Sequence, residues 1–292
     1  MKEPSIILTG GSGPKDKSSI DIITSDPKTN LQLPNLPHQG KNCSIFTHNG
    51  TLMVCGGSNE NAKKCYQLVN GVWTKFASDL KIKRCGASVV VTNEATFIFG
   101  GIFDPTSFEY LPKNGKNWKL GENEIPKDFY HGSAVEVKSK QEIWLIGGKG
   151  GCCRILVFNL KTHIFKELGS NLKWCRIHHA CISTILDGNE VILVTGGTGI
   201  LSGKSCKSVE IINTQDGKVT MLSNRMVLPR IGHGIGILRI ENQEKIVVFG
   251  GTDGENNHYE SVEIFDEKTK EWELAENVKM SEARYFFSFT NF

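Results

Sequence analysis

At 292 residues, 39% hydrophobic and 22% charged, the chain reads as a globular protein of one or two domains. A formal net charge of +3 excludes a generally polybasic nucleic-acid binder, and no run of eighteen apolar residues is present to cross a bilayer as a helix. The 31 glycines suit a turn-rich all-β chain.

The N-terminus enters a strand directly, at Ile6-Ile-Leu-Thr-Gly-Gly11, without the charged, apolar and small-residue order of a signal peptide. That strand ends on a Gly pair, and the pairing recurs at Gly56-Gly57, Gly100-Gly101, Gly147-Gly148, Gly196-Gly197 and Gly250-Gly251. The first glycines are 46, 44, 47, 49 and 54 residues apart, a drifting period that predicts propeller blades. Each unit divides into four strands. Strand a begins near a basic residue, as in Arg230-Ile-Gly-His-Gly-Ile-Gly-Ile-Leu238. Strand b is a continuous apolar run ending at the Gly pair, such as Phe97-Ile-Phe-Gly-Gly101, which predicts burial on both faces.

Strand c alternates, in Ser19-Ile-Asp-Ile-Ile23, Ser107-Phe-Glu-Tyr-Leu111, Ser208-Val-Glu-Ile-Ile212 and Ser261-Val-Glu-Ile-Phe265. Turns follow at Asp26-Pro27, Asn70-Gly71, Asn114-Gly115 and Asp216-Gly217. Strand d carries a large wedge residue, Trp73, Trp118 or Trp272. Leu31, Phe165 and Val219 replace it elsewhere and predict looser packing in blades one, four and five. The last segment, Glu282 to Phe292, reads as a strand a with no strand b after it, so it is expected to complete the first blade.

These repeats resemble the kelch family over essentially the whole chain. The resemblance implies an all-β, six-bladed propeller with four strands per blade, its first blade closed by the C-terminal strand. Residues 1–292 are read as a single domain. The residues expected to open strand a are Lys41, Arg84, Asp128 (beside Lys127), Arg176, Arg230 and Arg284. Ring symmetry would gather them at one channel mouth, joined by b–c loop lysines and arginines including Lys15, Lys17, Lys149, Arg154, Lys204 and Lys207. Arginine forks facing one pocket suit carboxylates or phosphates.

In the kelch domains of ubiquitin-ligase substrate adaptors, arginines at this place capture acidic peptides, and Arg230-Ile-Gly and Arg176-Ile-His look similar. Lys41, Arg84, Arg176, Arg230 and Arg284 are therefore the expected ligand-binding set. The competing reading is that a basic residue at this repeat position serves the repeat itself.

His131, His179 and His233 are expected at one repeat position, three residues after the opener. No recurring carboxylate or Cys completes a metal-ligand set beside them, so neither a metal nor a cofactor is expected. Gly147-Gly-Lys-Gly-Gly151 lacks the Lys-Ser/Thr and the helix of a phosphate loop. Nine cysteines, an odd number without blade periodicity, are read as reduced thiols of a cytoplasmic protein, although Cys55 and Cys65 would be neighbours across a hairpin. The sequons Asn42-Cys-Ser44 and Asn49-Gly-Thr51 carry little without an export signal.

The functional expectation is a monomeric protein-interaction module for a partner protein or acidic peptide, with ubiquitin-ligase or cytoskeletal components as the implied partner class. Nucleic acid and membrane are not expected as partners. The alternative is an enzyme of isomerase, lyase or oxidase type acting on a small anion at the same mouth.

Overall fold

The structure, a computed structural model, describes residues 5–13, 17–25, 32–38, 40–58, 60–200 and 202–291. Five four-stranded antiparallel sheets follow one another along the chain. Blade two comprises Ser44–His48, Thr51–Cys55, Cys65–Val69 and Val72–Lys75, and blade three Ser88–Val91, Ala95–Phe99, Phe108–Pro112 and Lys119–Leu120. Blade four comprises Ser133–Val137, Glu142–Ile146, Ile155–Asn159 and Phe165–Glu167. Blade five has Ala180–Leu186, Asn189–Thr195, Val209–Asn213 and Val219–Met221, and blade six Gly234–Ile240, Gln243–Phe249, Ser261–Asp266 and Glu271–Lys279.

Blade one joins the two chain ends. Ile6–Thr9 pairs with Ile20–Ile23 on one side and with Ser288–Asn291 on the other, in the register Ile6↔Asn291 to Thr9↔Ser288. The C-terminal strand thus closes the ring as expected and covers an edge that a linear array would expose. Leu31, the Asp26-Pro27 turn and Lys15 lie outside the described residues. Among the described residues no helix is long and apolar enough to cross a membrane.

Strand b is buried along its length, as at Ala95–Phe99 and Glu142–Ile146, because neighbouring sheets cover both of its faces. Strand a starts later than expected. It begins at Ser88, Ala180, Gly234 and Ser288, four residues after Arg84, Arg176, Arg230 and Arg284, so the arginines belong to the connection from the preceding strand d. Strand c also departs from a plain in–out alternation, since Glu109, Glu210 and Glu263 are fully buried.

The core is divided into wedges, one between each pair of blades. Trp118 fills the wedge between blades two and three, and Trp272 that between five and six. The expected looseness at Phe165 and Val219 is not found. Phe97, Phe99, Phe108 and Phe158 crowd around Phe165, with Phe158–Phe165 ring centroids 4.8 Å apart. Beside Val219 the bulk comes from Trp144 of the adjacent strand b. Interior density is conserved by moving the large side chain to another strand.

The first glycine of each pair sits where strand b meets the next blade's connection. At Gly100, with φ at +62°, an added Cβ would lie 1.8 Å from the Phe129 carbonyl oxygen. Only glycine fits that backbone and that approach.

Candidate binding face at the loop end of the ring

The b–c loops and the d-to-a connections share one end of the ring, and the four arginines lie there. They are not a receptor: each is at most 1% exposed. Arg84 donates from Nε to Glu109 at 3.0 Å and from Nη1 to the Gly100 carbonyl at 2.7 Å. Arg176 reaches Glu210 at 2.6 Å and the Gly196 carbonyl at 2.9 Å; Arg230 reaches Glu263 at 2.9 Å and the Gly250 carbonyl at 2.6 Å. Arg284 donates to the Gly10 carbonyl, to Ser19 Oγ and to Glu282. Their forks close their own blades, which leaves no ring of guanidiniums turned toward a ligand. Burial pushes the Arg84 and Arg230 guanidiniums below the ordinary value, and the paired glutamate opposes that.

The same glutamates hold the backbone. Glu109 accepts N–H bonds from Lys81 and Ile82, Glu210 from Lys173 and Trp174, and Glu263 from Val227 and Leu228. In blade one Asp21 accepts from Ser281. One carboxylate therefore satisfies a buried cation and neighbouring amides together, the condition for burying an ion pair at tolerable cost.

Lys41 and Asp128 are out of register with the arginines. The carbonyls that receive the next amide in each blade are those of Gly40 and Phe129, so these two are the true counterparts of the arginines. Lys41 is exposed. The histidine alignment shifts in the same way: His131 corresponds to His178, and His179 to His233. Asn42, Gly86, His131, His178, Gly232 and Phe286 all adopt left-handed backbone, with φ from 52° to 65°. Amide-to-carbonyl bonds run Gly86→Asn42, His131→Gly86, His178→His131, Gly232→His178 and Phe286→Gly232, a belt around the axis.

Inside the belt lies a channel cavity of about 270 Å³. His178 packs, tilted, between His131 (4.2 Å between centroids) and Phe286 (4.6 Å). Burial pushes His178 down to about 3, aided by His131. His179 and His233 also fall to about 3, through burial first and then the positive charge of Arg176 or Arg230 respectively. Neutral imidazoles of this kind are poor proton donors near pH 7, and they give the channel no cationic character.

A different recess joins cations to apolar surface. A groove of about 550 Å³ on blade five is lined by Trp174, Lys204, Lys207, Met221, Arg225 and Pro229 among others, and among the described residues no carboxylate lines it. Trp174 is 55% exposed. Its backbone is fixed by Glu210, so a buried pair in blade five sets the position of an exposed indole. Lys207 Nζ donates to the Val227 carbonyl at 2.6 Å, while Lys204 and Arg225 are exposed. Of the expected ligand-binding set Arg176 borders this groove, and of the expected loop cations Lys204 and Lys207 do.

The expectation of reduced thiols is corrected at four positions. Cys55–Cys65 and Cys153–Cys175 are disulfides; Cys43, Cys85, Cys152, Cys181 and Cys206 are free.

Comparison with known proteins fits this architecture. The Kelch motif family matches residues 242–279, which span strands b, c and d of blade six. By fold the chain is a six-bladed β-propeller, and its sixth blade carries the Kelch motif. The solved structure of YjhT superposes with a TM-score of 0.71 at 12% sequence identity, covering 94% of this chain and 95% of that one. In all, 394 solved chains match, so the frame is shared too widely to single out a function. No curated protein matches it by sequence.

Blades three and six both keep every repeat feature: Gly100-Gly101, Ser107-Phe-Glu109, Arg84 and Trp118 in one, Gly250-Gly251, Ser261-Val-Glu263, Arg230 and Trp272 in the other. Sequence reading missed Trp174, Met221 and Arg225. Trp174 carried one usable signal, a tryptophan outside any strand and two residues before a repeat arginine.

Proposed function

We propose that this propeller is a protein-interaction module that receives an acidic segment with one large apolar residue in the groove on blade five. The observation that carries the proposal is Trp174, an exposed indole beside Lys204, Lys207 and Arg225 in a groove without a lining carboxylate. An amphipathic ring with one wet edge is a common anchor of protein interfaces. Surrounding cations favour acidic partners and speed their encounter. Ile102 and Phe103, exposed on the b–c loop of blade three, extend apolar surface at the same end of the ring.

The test is a selection from displayed random peptides on the intact chain, with the winners re-measured on Trp174→Ala and on Lys204→Glu/Arg225→Glu. The expected winners combine several Asp or Glu with one Leu, Phe or Trp. They should lose about tenfold or more on Trp174→Ala, a loss of about 1.4 kcal/mol, and weaken as salt rises. Winners without acidic residues, or winners that bind Trp174→Ala as tightly as the parent, overturn the reading.

A further inference from the structure

The connection that ends in Trp174 carries a second feature, independent of the groove. Cys152, Cys153 and Cys175 place their sulfurs within 4.8 Å of one another, and all three residues are half-buried. Cys153 and Cys175 are bonded to each other, and Cys152 is free. A staple needs only two thiols; the third, held against it, has no structural task.

The backbone gathers these sulfurs without relying on the disulfide. Arg176 N donates to the Cys152 carbonyl at 3.1 Å, and Leu172 N donates to the Cys153 carbonyl at 2.8 Å. Thus the b–c loop of blade four is tied to both flanks of Cys175 by main-chain bonds. The Gly150-Gly151 bend delivers the vicinal pair there: Gly150 has φ of +95°, and Arg154 N closes onto the Gly151 carbonyl at 2.7 Å.

We propose that, with the disulfide reduced, Cys152, Cys153 and Cys175 form a three-thiolate site for a thiophilic d10 cation such as Zn²⁺. Zn–S bonds of about 2.3 Å put tetrahedral sulfurs about 3.8 Å apart, a spacing that small rotations of three side chains already within reach can meet. Soft sulfur ligands select such cations over Mg²⁺ or Ca²⁺. Three protein ligands leave one coordination position for water or an incoming donor.

The redox step balances with a dithiol reductant. Two electrons and two protons pass to the Cys153–Cys175 bond, giving two thiols, and the reductant closes into its own disulfide. On binding, the three S–H protons leave to solvent and the thiolates take the cation. Oxidised, the loop is held by the S–S bond; reduced, it is held by the metal.

The full chain is treated with a dithiol, desalted without oxygen, and titrated with Zn²⁺ against a chromophoric chelator. Cd²⁺ is followed separately through sulfur-to-metal charge-transfer absorption. Stoichiometric uptake is expected in the reduced protein and none in the oxidised one. Cys152→Ser removes one of three ligands and should weaken binding by at least about tenfold, the loss that even an outer-shell partner's removal brings. Cys206→Ser removes a thiol that lies against Arg176, outside the group of three, and should leave binding unchanged. Cys152 is not in a disulfide, so its variant should keep the parent's melting temperature. Cys175→Ser gives a second reading by the same loss. Absence of Zn²⁺ and Cd²⁺ uptake by the reduced parent, or uptake undiminished in both Cys152→Ser and Cys175→Ser, overturns the proposal.

Discussion

Blades one, three, five and six differ from blades two and four at the same three positions. In the first group an Arg from the connection enters its own sheet, an acid on strand c waits two residues after a Ser, and an amide donor lies three residues before the Arg. In blade four the Arg is Phe129, the acid is Leu156, and both lie in one hydrophobic cluster. In blade two the positions hold Gly40 and Tyr66. The donor changes as well: where Lys81, Lys173, Val227 and Ser281 offer an N–H to the acid, blades four and two carry Pro126 and Pro37, which have none. A buried carboxylate without its cation, or an amide without its acceptor, would be costly. Blades three, five and six therefore keep the set whole and blades two and four lack it whole, while in blade one Asp21 takes the Ser281 amide and Arg284 pairs with Glu282. The ion pair is therefore not what makes a blade fold. What it adds is a fixed position for the connection above it.

The comparison breaks most sharply by removing half of one set. Glu263→Ala strands the Arg230 charge and the Val227 and Leu228 amides, and should cost about 3–5 kcal/mol in denaturant unfolding. The triple change Arg230→Leu/Glu263→Leu/Val227→Pro rewrites blade six in the chemistry of blade four, and should recover a large part of that loss. Equal losses in the single and triple variants would mean that the pair itself, and not its completeness, stabilises the blade. The converse change, Phe129→Arg alone, should destabilise blade four, and Leu156→Glu added to it should restore part of the loss.

A smaller effect follows from pH. His179 and His233 come three residues after Arg176 and Arg230, in blades that keep the set, and both are held near 3 when folded. An unfolded histidine titrates near its ordinary value, so the unfolded state takes up protons first as pH falls. Stability from these rings is complete above the ordinary histidine value and declines as pH falls from there toward 3. His233→Gln should flatten that slope. The triple change in blade six should narrow the window, because His233 loses the Arg230 charge that adds to its depression. An unchanged slope in both would place the acid sensitivity elsewhere.

Much of the frame was readable because it repeats. The Gly pairs, the apolar strand b and the orphan C-terminal strand each carry a period, and all are found in place. The arginines were legible as a repeat feature, but their direction was not. Spacing cannot tell a fork turned to the axis from one turned into its own sheet. Ser-x-Glu in three of the same blades, with Ser19-Ile-Asp21 in the fourth, was the available cue. Lys41 and Asp128 were misaligned by one residue because the repeat has no charge there, and nearest charges filled the gap. Wedge packing was misjudged for a related reason, since Trp144 supplies on strand b what Val219 lacks on strand d. Trp174 could not be found by period at all, being a departure from the repeat at a position that Ile82 and Leu228 occupy elsewhere.

That departure yields the smallest expected effect on stability and the most informative one for function. Trp174 is largely exposed, so Trp174→Ala should leave unfolding within about 0.5 kcal/mol of the parent while removing the groove's apolar anchor. Glu210 touches the groove only through the Trp174 and Lys173 amides and through Arg176. If the buried set exists to position the connection, Glu210→Gln should weaken capture of the selected acidic peptides even where the variant remains folded. Glu109→Gln, the same lesion in blade three, whose partners Lys81, Ile82 and Arg84 do not line the groove, should leave that capture intact at matched stability. Equal loss of capture in both variants would trace it to general loosening of the ring; loss in Glu210→Gln alone would tie the internal ion pair of blade five to the surface it holds in place.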